Sequence, residues 1–434
     1  MFEDNYKEKE SDIKDTLSEQ DTGIKDFRII AVLNNPGLRS AFESWKSSLE
    51  NINQSGTLSD PRFNFTYFVH NIETRTGPQT FRAGIAQTFP WFGELKLKNR
   101  SAFLKSEIKR MEYESAKLDL FFRVEKTYFD LYRIGQDIQV VRENIKLVGL
   151  LEKVASTGYK TGRIPYSTII RVQTELGKLE ERLKSFEVRI PSLKAKMNAL
   201  LGRPHQATLS IPQELPNWKA SNKQEELREL MHDNNPQILE QEQKILLTEN
   251  DILLSEKDFY PDFTFGVQFM NTEETSMDNV DDSGEDPIGI SLSLNIPLWR
   301  QKYRSGVRES VADNRASIYN LDEMRNSLDA RLVMILSELE DAERKETLFR
   351  DNLIPKTRES LEVARKAFSS GEADFTDVID IQRELLEFEI ISIEAEAQKL
   401  LQISELRRIT GACPLQENEK IIGHQADFKI EQNL

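Results

Sequence analysis

The strongest constraint on this chain is that it contains itself twice. "NNPGL" at Asn34–Leu38 returns as "NNPQI" at Asn234–Ile238, a shift of 200. "DPRFNFTYF" from Asp60 returns as "YPDFTFGVQF" from Tyr260, so Pro61 and Pro261 also stand 200 apart. Pro90 and Pro297 are 207 apart. "TGRIPYSTIIRVQTEL" from Thr161 returns as "SGEADFTDVIDIQREL" from Ser370, with Gly162 and Gly371 209 apart. "LLGRP" (Leu200–Pro204) closes the first copy and "ITGACP" (Ile409–Pro414) the second. Landmarks that keep their order while their spacing drifts slowly mark a duplication. A solenoid needs at least three repeats, so two predict a pseudo-twofold unit whose halves pack on each other. The expected boundaries are a polar N-terminal segment at 1–25, a first repeat at 26–204, a linker at 205–222, a second repeat at 223–414 and a polar tail at 415–434.

Within each repeat the order is the same. A helix follows the NNP, where proline suits a first turn. Strict alternation then predicts strands: Phe63, Phe65, Tyr67 and Val69 are interleaved with Asn64, Thr66 and Phe68, and Ile288, Ile290, Leu292 and Leu294 with Gly289, Ser291 and Ser293. Such a period of two gives one apolar face and one polar or small face. It predicts β-hairpins over 61–90 and 261–297. The chain then turns abruptly, at "QTFPWFGELK" from Gln87 and at "LNIPLWRQKY" from Leu294, and the apolar period becomes helical. Helical hairpins are expected over 94–201 and 300–410, with Pro355 kinking or interrupting the second. Their long helices would reach roughly 90–100 Å at 1.5 Å per residue. That length implies antiparallel coiled-coil hairpins.

Composition suits this picture. Charged residues make up 30% of the 434 and apolar ones only 38%, which fits long, thin, solvated helices better than a compact core. A net charge of −15 argues against nucleic acid as a partner. The single Cys413 excludes an internal disulfide and a Cys-based zinc site. His70, His205, His232 and His424 show no paired ligand spacing, so no metal is expected. No Ser/His/Asp arrangement can be read from the sequence, and there is no phosphate-binding glycine loop.

No stretch approaches the roughly 18 consecutive apolar residues of a transmembrane helix, and Met1–Lys25 lacks an apolar signal region. Taken alone, these facts read as cytosolic. Short strands carry a weaker membrane signal, however, and four of nine to ten residues match a tilted bilayer crossing. A sheet in lipid must close to leave no unpaired edge. Four strands cannot close; three copies would supply twelve. Pro90 and Pro297 would then mark the corners at the barrel end, with Trp91, Phe92 and Trp299 placed as an aromatic girdle. The alternative is a soluble sandwich with buried corner tryptophans.

"NNPGLRSAFESW", "DPRFNFTYF", "GIAQTFPWFGELKLKNRSA", "TGRIPYSTIIRVQTELGKLEERL" and "LLGRP" together resemble the TolC-type outer membrane efflux protein family, over about Asp26 to Pro414. The branch most similar serves resistance-nodulation-division pumps. The resemblance implies a mainly α fold with a small β part: long coiled-coil hairpins and four transmembrane strands per protomer. A homotrimer would form a twelve-stranded β-barrel in outer-membrane lipid, continuous with a twelve-helix α-barrel across the periplasm. It implies a passive exit duct that meets a periplasmic adaptor and an inner-membrane pump, without catalysis and without a cofactor. Such chains normally follow a cleaved signal, so a trimmed or misplaced start is expected here, and no cysteine near the start offers a lipid anchor.

The two hairpin tips differ in charge. The first carries Lys160, Arg163 and Arg171; the second carries Glu372, Asp374, Asp377 and Asp380. By resemblance, Asp377 and Asp380 match positions that form acidic rings at the periplasmic entrance, and such rings favour cations. The other reading is a solvated acidic helix start, favoured by the helix dipole. A latch between the basic and acidic tips is also expected. The Tyr and Arg of some relatives' latches correspond here to Phe368 and Ala373, so a different charge pairing would replace theirs. By the same resemblance, adaptor docking is expected at the tip turns Gly158–Pro165 and Ser369–Asp374, which hold Gly162 and Gly371. A duct for type I protein secretion and a soluble coiled-coil scaffold remain open alternatives.

Overall fold

A computed structural model of the chain describes residues 23–221, 223–370 and 372–412. Most of the N-terminal segment, the tail, Cys413, His424 and Gly371 lie outside the described residues. The first repeat contains α1 (Ile24–Asn34), α2 (Pro36–Ser55), β1 (Arg62–Ile72), β2 (Gln79–Phe89), α3 (Glu94–Lys160) and α4 (Tyr166–Leu200). The second contains α5 (Gln224–Asn234), α6 (Pro236–Lys257), β3 (Phe263–Thr272), β4 (Ile288–Leu294), α7 (Arg300–Leu348), α8 (Ile354–Ser370) and α9 (Phe375–Ile409). A single π-helical turn, Phe349–Leu353, joins α7 to α8. It falls just before Pro355, which can neither donate to the preceding turn nor fit under its carbonyl. The helix takes up the misfit as a wider turn.

The sequence predicts a helix after each NNP. The structure adds one before it, so the NNP is a joint. A residue preceding proline is pushed out of the helical region, and Asn35 (φ −66°, ψ 118°) and Asn235 (φ −66°, ψ 120°) are both extended. The freed Asn35 Nδ2 donates to Leu200 O at 2.9 Å and Asn235 Nδ2 to Ile409 O at 2.8 Å. Gly202 and Gly411 close the same joints at φ +65° and +72°. A Cβ there would lie 2.3 Å from Asn34 O and 2.2 Å from Asn234 O. Two landmarks far apart in sequence thus form one contact, made twice.

The described residues fall into two compact units, and each draws on both repeats. One lies within Met1–Ser40, Glu114–Pro236 and Arg325–Leu434; the other comprises Ala41–Tyr113 and Gln237–Met324.

The first unit is helical. Val148 of α3, Val172 and Leu179 of α4 and Phe375, Val378 and Leu385 of α9 share one buried cluster. Leu227 and Met231 of α5 meet Leu332 and Ile335 of α7 and Leu406 and Ile409 of α9 in another. The repeat-related helices α4 and α9 run parallel: Arg171 meets Thr376, Glu175 meets Arg383, and Arg182 meets Glu387 at 2.6 Å. The linker is a strap held at three points. Leu209 is buried, Tyr128 Oη donates to Glu214 O at 3.1 Å, and the Trp218 ring lies under Arg28 and Arg407, at 4.9 and 4.0 Å. Arg28 also forms a buried pair with Glu125 at 2.7 Å.

The second unit holds a four-stranded antiparallel meander in the order β1-β2-β3-β4. Register carries the alternation across the whole sheet. Phe63, Ile85, Val267 and Ile290 form one row, and Asn64, Gly84, Gln268 and Gly289 the next. One face is therefore apolar and the other polar or small, where Thr88 and Thr264 hydroxyls bond at 2.9 Å. Four helices of this unit follow one another. Asn99 of α3 donates to Ile52 O of α2 at 2.9 Å. Asn250 of α6 donates to Leu97 O and Ser101 Oγ of α3 at 2.9 and 2.8 Å. Gln241 of α6 donates to Ser317 O of α7 at 2.9 Å.

Candidate functional site

The sheet unit offers the first candidate surface. Its apolar face is exposed: Phe63 is 70% accessible, Val69 84% and Ile290 84%. Each such side chain would gain about 1.5–3 kcal/mol by leaving water. Strands β1 and β4 each keep one edge unpaired within the chain. Both corners lie at the same end of the sheet. Pro90 ends β2, since it has no N–H to continue a ladder. Trp91 stacks on Tyr260 at 4.8 Å and on Phe263 at 5.5 Å. Phe92 turns outward, and a groove of about 500 Å³ runs between Phe89, Pro90, Phe92, Phe263 and Phe265. Trp299, after Pro297, is 76% exposed. The sequence treats Trp91 and Trp299 as equivalents. The structure distinguishes a half-buried stacked ring from an outward one, and adds Tyr260 and Phe263 to the corner.

The hairpin tips of the helical unit are the second candidate. Both turn on the same backbone bond: Arg163 N donates to Gly158 O at 2.9 Å, and Glu372 N to Ala367 O at 2.8 Å. Gly162 takes φ +73°, which a side chain would strain. Asp374 caps α9, accepting from Thr376 N at 3.4 Å. At the latch positions, Phe368 packs edge-on to Phe375, centroids 5.4 Å apart. Lys160, Arg163 and Glu372 are exposed, and none forms an ion pair among the described residues. The two tips meet through Ile169, Phe375 and Val378 in one buried cluster and through Arg171 Nη1, which donates to Thr376 Oγ1 at 2.9 Å.

Asp377 and Asp380 are both exposed on α9, but they differ. Asp380 accepts from Arg383 at 3.2 Å. Arg383 also binds Glu175, and its hydrogen bonding holds the Glu175 carboxyl below the usual range against the effect of burial. Asp377 has no partner among the described residues. Deeper in the unit, Asp137 is 7% exposed and its Oδ1 has no hydrogen-bond partner. Burial pushes its pKa up to about 6, against the pull of Arg133 and Arg182. Glu346, its counterpart 209 residues on, binds Arg350 at 2.6 Å and Lys399 at 2.5 Å. Among the described residues, no group of His, Cys, Asp and Glu could hold a metal ion, and no helix is long and apolar enough to cross a membrane.

An open four-stranded meander joined to long helical hairpins is the fold of outer-membrane channels. The outer-membrane channel OprN matches at a TM-score of 0.78 and 14% identity, over 90% of each chain. VceC of Vibrio cholerae matches at 0.75 and 14%, over 89% of this chain and 96% of that one. The MtrE outer membrane channel of Neisseria gonorrhoeae, in its open state, matches at 0.71 and 14%, over 89% and 88%. Residues 227–412 match the model of the outer membrane efflux protein family. The resemblance read from the sequence stands: the second repeat carries that family's pattern and the chain carries the channel fold. The motifs first noticed lie mainly in the first repeat, whereas the family match falls on the second. A comparison with curated protein sequences yields no match.

Proposed function

We propose that three copies close their sheets into one twelve-stranded barrel in the outer membrane, and that the helical hairpins form a periplasmic tunnel leading to it. The assembly is a passive exit duct of a tripartite efflux system, fed by a periplasmic adaptor and an inner-membrane pump, of the resistance-nodulation-division type by resemblance. The observation that carries this reading is the sheet: one exposed apolar face, one polar face and two open edges. A soluble scaffold has no use for that face. In the closed trimer the apolar face meets lipid and the polar face lines the pore. The corner aromatics sit at the interface. The tips form the entrance and the adaptor-docking surface. Asp377 faces the common axis and selects cations, while Asp380 contributes less because Arg383 already neutralises it.

Tryptophan quenching by brominated lipid tests this. In single-tryptophan variants reconstituted in vesicles, Trp299 is quenched and Trp218 is not. A chain that stays in the aqueous phase, or an unquenched Trp299 in a folded and reconstituted protein, would leave the scaffold as the better reading.

A further inference from the structure

In the sheet unit the helices follow one another as α2, α3, α6 and α7, so α2 and α7 are the two ends, as β1 and β4 are the two edges of the sheet. Helix α7 carries Arg300, Arg304, Arg308 and Arg315, at i, i+4, i+8 and i+15. At 3.6 residues per turn these fall on one side of the helix. All four are exposed, and none forms an ion pair among the described residues. Arg308 reaches only Ser305 on its own helix, at 3.0 Å. Helix α2 offers carboxylates: Glu43 and Glu50, seven residues apart on one face, are both exposed, with Arg39 and Lys46 on the same side. Only Lys46 approaches either, at 3.9 Å from Glu43.

The duplication says how these two faces relate. Helix α2 is the first-repeat counterpart of α6, and α7 is the second-repeat counterpart of α3. Inside the chain α6 packs on α3, with Asn250 donating to Leu97 O and Ser101 Oγ. The offset of 200 between the NNP landmarks carries Asn250 onto Glu50. The offset of 207 between Pro90 and Pro297 carries Leu97 onto Arg304 and Ser101 onto Arg308. The same packing repeated beyond the end of one chain would set a carboxylate opposite two guanidiniums.

We propose that α7 of one copy docks on α2 of the next in the way α3 docks on α6, with Glu50 of one copy held by Arg304 and Arg308 of its neighbour. About two turns along, Glu43 meets Arg315 in the same seam. This rests on the trimeric reading above and specifies its joint. The seam within a chain is neutral and the seam between chains is ionic. Two α7 faces repel, which favours joining head to tail, the arrangement that closes a ring.

Cross-linking and charge reversal on the full chain test this, in a Cys413→Ala background. A short bis-maleimide added to the variant carrying Glu50→Cys and Arg308→Cys gives covalent dimers and trimers, whereas Glu50→Cys with Lys98→Cys on α3 does not. Glu50→Arg alone, or Arg304→Glu with Arg308→Glu, depletes the trimer seen by native mass spectrometry in detergent. Combining the three reversals restores it. A wild-type trimer that neither cross-links at these positions nor responds to reversal would overturn the seam and leave the channel intact. The same holds if the arginine variants lose bound anionic lipid but remain fully trimeric. A wild-type chain that is monomeric in both detergent and vesicles would overturn the trimeric reading itself.

Discussion

Gly202 and Gly411 press on the carbonyls of Asn34 and Asn234 in nearly the same way, with 2.3 and 2.2 Å left for a Cβ. Asp137 and Glu346, which the same duplication also places in register, live in different surroundings. Asp137 is buried with no bonded cation, and Glu346 is held by Arg350 and Lys399. The contrast separates two kinds of constraint. Where backbone meets backbone at a positive φ, no other residue fits and both repeats keep glycine. Where a side chain meets side chains, each repeat has found its own partners, and the tips have diverged to opposite charge.

The largest effect should come at the joints. Gly202→Ala and Gly411→Ala should each cost about 3 kcal/mol or more, from left-handed strain plus a clash with a backbone oxygen that cannot retreat. Thermal unfolding of the detergent-solubilised protein reads this. If one variant is tolerated and the other is not, the joints are not equivalents.

The buried carboxylates should then part company. Glu346→Gln leaves Lys399 and Arg350 without their shared anion and should destabilise by about 1–2 kcal/mol. Asp137→Asn should instead stabilise by a similar amount at pH 7.5. The Asp137 carboxyl has a folded pKa raised to about 6 from 3.8. The folded state therefore binds the proton more readily than the unfolded one. Its contribution favours folding at low pH and is lost as pH rises through about 6. Stability of the native protein should accordingly rise as pH falls from about 7 toward 5, by about 1–2 kcal/mol from this group. In Asp137→Asn that component of the pH profile should vanish. An unchanged profile would mean Asp137 is paired in the assembly.

The smallest effect concerns the acidic pair on α9. Asp377→Asn should reduce cation selectivity more than Asp380→Asn, because Arg383 already engages Asp380. Equal shifts in reversal potential would mean the pair opens when copies assemble.

Much of this was legible in the sequence because the strands have a strict period of two and the hairpins end at glycine, proline and charged turns. In the structure the strands are Arg62–Ile72, Gln79–Phe89, Phe263–Thr272 and Ile288–Leu294, and the long helices begin at Glu94 and Arg300. What was missed depends on contacts between distant segments. The helices before each NNP, Ile24–Asn34 and Gln224–Asn234, are short. They are held by packing onto helices far along the chain, such as Met231 against Leu332 and Leu406. The linker strap has no periodicity; it is fixed by Trp218 between two arginines, one from each repeat. The sequence predicts that Pro355 kinks or interrupts its helix, but that the answer is a widened turn depends on the helices packed around it. Asp377 and Asp380 read alike until Arg383 is placed between Asp380 and Glu175.

The most direct test of the central claim is a planar-bilayer recording of the purified protein under a salt gradient. The account predicts discrete, low-conductance steps with a reversal potential that favours cations. A folded protein that never inserts, when expressed with a secretory signal and purified from membranes, would contradict it.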